Sequence, residues 1–218
     1  LMKARASLLG SFEGAVGPVG LLDRFQVAGV VATWWGDIQN DLRTITARGF
    51  LGLVEAWETS ILTALDDGKS KDNPLDHGLV KRLLPEYLAD LAELEAKKAE
   101  MEATIKGASG GGDEEGEEGE EAEESEGQLS DAELAALKKQ LATTKRALKT
   151  KQEDFTLKLK EARAALAEPT ARDLVLGILR SDLDAILGRY VANHRQEVVA
   201  AFEALKQMEL TALSYPAE

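Results

Sequence analysis

Val80 to Ile105 reads VKRLLPEYLADLAELEAKKAEMEATI. In it Val80, Leu84, Tyr87, Leu91, Leu94, Lys98, Met101 and Ile105 stand at spacings of 4, 3, 4, 3, 4, 3 and 4. An α-helix turns once in about 3.6 residues, so this alternation keeps one stripe of side chains on one side. The stripe is the seam of a coiled coil, with a single lysine in it. Pro85, which has no amide hydrogen to donate, fits best near a helix start. A half-buried strand would alternate apolar and polar residues, and no segment of this chain does so convincingly. The expected class is all-α.

A second seam follows downstream. Leu134, Leu137, Leu141, Thr144, Leu148, Lys151 and Phe155 are spaced 3, 4, 3, 4, 3 and 4, and Ser130 with Glu133 has the spacing of a capping box that starts a helix. The two seams are expected to face each other as a long antiparallel coiled-coil hairpin over residues 79–168. Leu84, Leu91, Leu94, Leu137, Leu141 and Leu148 form its seam. Spacing alone leaves open whether the helices pair within one chain or across two. Between them, residues 107–128 are almost entirely Gly, Glu, Ser, Ala and Asp. So little apolar area cannot offset the entropy of ordering the backbone, and a disordered acidic linker is expected.

On the N-terminal side, residues 1–78 read as the first part of a helical body. Gly10, Gly14, Gly17 and Gly20, with Pro18, are expected to prevent a long regular helix there. From Leu21 the pattern turns helical, with Phe25, Val27, Val30, Val31, Trp34, Trp35, Ile38 and Leu42 on a wide apolar face. After Gly49 a further helix, Leu51 to Leu65, carries Leu53, Val54, Trp57 and Ile61 and ends at Asp66-Asp67-Gly68. Phe25, Trp34, Trp35 and Trp57 are the expected anchors, either of the core or of an interface. Beyond Pro169, residues 169–218 carry Leu174, Val175, Ile178, Leu179, Leu183, Ile186, Leu187, Tyr190 and Val191. They are expected to pack on the body, with a break at Ala192-Asn193 before Val198, Val199, Phe202 and Leu205. The chain opens Leu1-Met2, which points to a fragment of a longer product.

The 218 residues, 44% of them hydrophobic, are enough for a buried core. The formal charge of -13 is concentrated: residues 113–126 hold ten acidic side chains and no basic one. Lys138 to Arg163, by contrast, holds nine Lys or Arg against Glu153, Asp154 and Glu161. Lys138, Lys139, Lys145, Arg146 and Lys149 are therefore candidates for lying near DNA, since lysines on a helix face release counterions from phosphates. A solvated coiled-coil face has the same composition. The longest uncharged run, Phe25 to Gly36, is far short of the roughly 18 to 20 apolar residues that span a bilayer, so no membrane partner is expected. With no cysteine there is neither disulfide nor thiolate, and with no signal-peptide pattern a cytoplasmic location is expected.

Few residues offer chemistry. Gly107 to Gly116 lacks the Gly-Lys-Ser/Thr ending of a phosphate loop and is loaded with carboxylates. No serine sits in a Gly-x-Ser-x-Gly elbow, and the acidic run lacks the ligand spacing of a calcium loop. His77, in a Pro-Leu-Asp-His-Gly turn, and His194, in a polar part of a helix, read as surface or capping residues. No catalytic, cofactor-binding or metal-binding residue is nominated in this chain.

Two patches are more specific than their physics. Leu22-Asp23-Arg24-Phe25-Gln26-Val27-Ala28-Gly29-Val30-Val31-Ala32-Thr33-Trp34-Trp35, continued by Asp41-Leu42-Arg43-Thr44-Ile45-Thr46-Ala47-Arg48-Gly49-Phe50, resembles the C-terminal region of modification subunits of type I restriction-modification systems. Leu179-Arg180-Ser181-Asp182-Leu183 and Tyr190-Val191-Ala192-Asn193-His194-Arg195-Gln196-Glu197-Val198-Val199 are similar to the family's late helices. Between the patches only the organisation is similar, a coiled coil with a variable linker. The family's methyl-donor motif and its Asn-Pro-Pro-Phe/Tyr tetrapeptide are absent, Asn73-Pro74-Leu75 being a poor fit. Where the family ends in a Trp-containing helix and a Lys-Tyr pair, this chain reads Phe202-Glu203-Ala204-Leu205-Lys206-Gln207-Met208-Glu209-Leu210.

The resemblance implies the non-catalytic C-terminal part of an adenine-specific DNA methyltransferase subunit, docking to a DNA-specificity subunit and the other subunits of the system. DNA would be met through that complex. S-adenosylmethionine would be the cofactor of the intact enzyme, bound on a domain this chain lacks. The residues alone leave two rivals: a free-standing coiled-coil scaffold or regulator with an acidic docking loop, and a helical protein that binds DNA directly.

Overall fold

The computed structural model describes residues 2–67, 73–109 and 130–213. Among them are six α-helices, two 3-10 turns and no strand, an all-α chain. Most of the acidic linker expected over 107–128 lies outside the described residues; Gly107 and Ala108, at its start, continue a helix that ends at Ser109. The chain divides into two compact units, residues 1–56 with 167–218, and residues 57–166.

In the first unit, helix α1 spans Met2–Val16 and runs through Gly10 and Gly14, correcting the expectation that glycines would prevent it. Each glycine costs a helix interior about 1 kcal/mol. Tertiary packing opposes that cost: Phe12 and Val16 lie against a core cluster of Leu22, Val27, Val30 and Ile186. A 3-10 turn over Gly17–Val19 ends at Gly20, whose φ of 71° is left-handed and suits a residue without Cβ. The Gln26 N–H then donates to Asp23 Oδ1 at 2.7 Å, and the Asp23 N–H to Gln26 Oε1 at 3.0 Å, a reciprocal cap at the start of helix α2.

Helix α2, Arg24–Asp67, is interrupted at Gly49 (φ 73°, ψ -175°), where the sequence places the start of a further helix. Its buried face in this unit is Val27, Val30, Val31, Ile38, Leu53 and Val54. Helix α6, Glu168–Leu213, buries Ala171, Val175, Ile178, Leu179 and Ile186. It continues without interruption through Ala192-Asn193, so the break expected there is a correction. The helix penalty of one asparagine is only a fraction of a kcal/mol, too small to stop a helix of 46 residues.

In the second unit, the end of α2 supplies Trp57, Glu58 and Ile61, all buried. Trp57 stacks edge-on against His77 with ring centroids 5.5 Å apart, and Arg163 Nε lies 3.2 Å from Glu58 Oε2. These contacts group residues 57–78 with the long helices, whereas the sequence reading draws its boundary after residue 78. A 3-10 turn over Pro74–Asp76 leads to helix α3, Gly78–Leu83, which buries Leu79 and Val80. Leu84 leaves the helical region (φ -126°, ψ 47°) because the ring of Pro85 disfavours helical backbone in the residue before it. Helix α4, Pro85–Ser109, starts at that proline.

Helix α5, Asp131–Ala164, begins with the expected capping box: Ser130 Oγ accepts from the Glu133 N–H at 3.3 Å, and Glu133 Oε2 accepts from the Ser130 N–H at 2.9 Å. Its contacts with α4 run in opposite chain order. Tyr87 and Asp90 meet Phe155 and Lys151, while Glu102 meets Lys145. Every seam position of α4 from Tyr87 and of α5 from Leu134 is at least half-buried. Burial is graded along the pair. Tyr87, Leu91, Leu148, Phe155 and Leu159 are buried, but Leu94, Met101, Ile105, Leu134, Leu137 and Leu141 only half so.

Candidate interaction surfaces

The residues nominated as anchors separate into core and surface. Trp57 is buried, and Trp34 and Trp35 are half-buried. The Trp34 indole N–H donates to the Leu179 carbonyl oxygen at 2.8 Å. Phe25 is 86% exposed, which corrects any core role for it. The reason is angular: Phe25 precedes Val27 by two residues, about 200° round a helix from that buried side chain. The first resembling patch thus sends Leu22, Val27, Val30 and Val31 into the core and leaves one phenyl ring in solvent.

The two resembling patches belong to one core. Besides the Trp34 to Leu179 hydrogen bond, Tyr190 lies over Gly29, where an added Cβ would stand 2.8 Å from the tyrosine hydroxyl and 3.2 Å from ring carbons. The absent side chain of Gly29 makes room for that ring. Leu183, Leu187, Tyr190 and Val191 pack against the cluster of Leu22, Val27, Val30 and Ile186.

Among the six seam leucines, Leu91 and Leu148 are buried, and Leu84, Leu94, Leu137 and Leu141 are half-buried. The seam lysine Lys151 is held on three sides. Its Nζ pairs with the Asp90 carboxylate and stands 5.5 Å from the centroid of the Tyr87 ring, and its carbonyl accepts the Tyr87 hydroxyl at 2.6 Å. Burial raises the Tyr87 pKa, and the Asp154 carboxylate adds to the shift, so the phenol stays protonated as a donor.

The candidate DNA-proximal cations do not act as one set. Lys145 Nζ pairs with Glu102 Oε1 at 2.8 Å, and the hydrogen bond to Lys145 holds the Glu102 carboxyl below its ordinary range. Lys149 lies 3.8 Å from Glu153. Lys138, Lys139 and Arg146 are exposed and make no ion pair among the described residues.

His77 is a cap: its Nδ1 accepts from the Leu79 N–H at 3.1 Å, and burial lowers its pKa. His194 Nδ1 is shielded from solvent, has no hydrogen-bond partner among the described residues, and stands 3.8 Å from Glu197 Oε2. Among the described residues no three His, Asp or Glu side chains converge as a metal site, and no helix is long and apolar enough to cross a membrane.

Two apolar surfaces are left partly open, one between α4 and α5 and one on α6. Where the helix pair is half-buried, an open groove of about 610 Å³ lies over Met101, Leu137 and Thr144, with Lys97 and Glu100 on α4 and Lys139 on α5 exposed along it. On α6, Val198, Val199, Phe202, Leu205 and Met208 are 41 to 67% exposed. Their spacing was legible, but the expected break at Ala192-Asn193 detached them from the helix whose apolar face they extend. No known family, curated protein or solved structure matches this chain.

Proposed function

We propose that this chain is a non-catalytic assembly region: the C-terminal part of a type I DNA methyltransferase subunit that docks to the DNA-specificity subunit in the cytoplasm. The observation that carries the docking role is Phe25. It stands 86% exposed in a patch whose other large apolar side chains are buried or half-buried, and an uncovered aromatic ring on a helix is the kind of group that anchors interfaces. The choice of partner rests on the resemblance of residues 22–50 and 179–199, which pack together although they are distant in sequence. In this reading α4 and α5 are an antiparallel coiled-coil arm carried by the same subunit. Methyl transfer from S-adenosylmethionine to a flipped adenine belongs to a separate domain, and this chain positions it. Co-expression with a type I DNA-specificity subunit and size-exclusion chromatography tests the proposal. A stable co-eluting complex is expected, and elution of the two proteins apart sinks it.

A further inference from the structure

Two apolar surfaces of this chain are open, one a helix face and the other a groove between two helices. The first is the end of α6. Its apolar face, Val198, Phe202 and Leu205 at i, i+4 and i+7 with Met208 beyond, is exposed and continues the face that Leu183, Leu187 and Val191 turn to the core. Met208 and Phe202 stand on either side of Leu205 and Val198 and widen the face past a single seam, so it fits a groove between two helices better than one facing helix. The second is the groove over Met101, Leu137 and Thr144, where α4 and α5 leave their facing side chains half-exposed. Val198 to Leu205 and the stretch of α4 from Lys97 to Thr104 both extend about 10 Å along a helix.

The charges beside the two surfaces are complementary. On α6, Glu197 lies on one flank of the apolar face, and Arg195 and Lys206 lie on the other. Along the groove, Glu100 is exposed on α4 and Lys139 on α5, and neither makes an ion pair among the described residues; Lys97 is already paired with Glu93 at 2.6 Å. A helix seated with Glu197 toward Lys139 and Lys206 toward Glu100 places an opposite charge on each flank. The stretch from Ala192 to Met208 is neutral, with Arg195 and Lys206 balancing Glu197 and Glu203, so it can approach another chain of net charge -13 without carrying that charge itself.

We infer that two copies of this chain associate head to tail, the α6 end of one copy seated in the α4–α5 groove of a second. Such a contact is heterologous, so a pair of copies keeps one free groove on one copy and one free helix end on the other, and association grows with concentration. The inference does not rest on the proposed partner subunit and can fail without it.

Sedimentation of three proteins and one mixture tests it at concentrations up to about 200 µM, the range in which a contact of this size is populated. Phe202→Glu/Leu205→Glu blocks the helix end, and Lys139→Glu/Thr143→Glu blocks the groove; all four positions are exposed, and circular dichroism checks that each variant stays helical. The wild type is expected to gain mass with concentration and each variant to stay monomeric. An equimolar mixture of the two variants should form a 1:1 dimer, because one supplies the intact groove and the other the intact helix end. A wild type that stays monomeric, variants that associate as the wild type does, or a mixture that stays monomeric overturns the inference.

Discussion

Gly29 and Tyr190 show how single residues fix the first unit. A Cβ at position 29 meets the tyrosine ring at 2.8 to 3.2 Å, so Gly29→Ala must displace it, at a cost of about 1 to 3 kcal/mol against a helix-propensity gain of about 1 kcal/mol. Net destabilisation is expected in denaturant melts, with partial relief when Tyr190→Phe removes the closest atom. Equal losses in the single and double variants contradict that contact. His77 makes a different prediction. Burial lowers its pKa below 6.5, so the stability it contributes is present above the unfolded value and is lost as pH falls through the lowered one. His77→Asn keeps a side-chain acceptor for the Leu79 N–H and removes the titration. The variant is expected to lose less melting temperature than the wild type between roughly pH 7 and pH 5. Identical pH profiles contradict the assignment.

Among the elements, the paired long helices divide into a tight and a loose part. Phe155, 2% exposed beside Tyr87, should cost about 3 to 5 kcal/mol on truncation to alanine. Half-buried Leu137 should cost roughly 1 kcal/mol, because solvent already reaches it. Denaturant melts of the two variants measure the difference, and equal losses contradict graded burial. The 3-4 spacing and the Ser130–Glu133 box were readable because helix geometry converts them directly into a face and an end. Pro85 does start α4, as its missing amide hydrogen suggests, but Val80 and Leu84, counted in the same seam, lie outside that helix. What was not readable depends on tertiary context. α1 forms across two glycines because Phe12 and Val16 find a core, and α6 runs through Ala192-Asn193 because no local signal there outweighs the rest of the helix. Phe25 matched the helical spacing as well as Val27 did, and only the direction of the core separates them.

For the whole molecule, the helical class was legible and the use of its surfaces only partly so. The tryptophans looked like anchors from sequence, yet the side chain that folding leaves uncovered in their patch is Phe25. The ion pair of Lys145 was also hidden, since Glu102 lies on another helix, whereas Lys149 and Glu153 have the i, i+4 spacing of helix neighbours. An assembly region without the methyl-donor motif should show no calorimetric heat with S-adenosylmethionine, and micromolar binding contradicts the non-catalytic reading. The most direct test of the docking claim is a titration of a type I DNA-specificity subunit with this chain, wild type against Phe25→Glu. Because Phe25 is exposed, the variant should keep the wild-type melting temperature. The account predicts that it loses at least about tenfold in affinity, roughly the 1.4 kcal/mol or more expected of an interface anchor. Equal affinity of the two proteins, or no binding by the wild type, contradicts it.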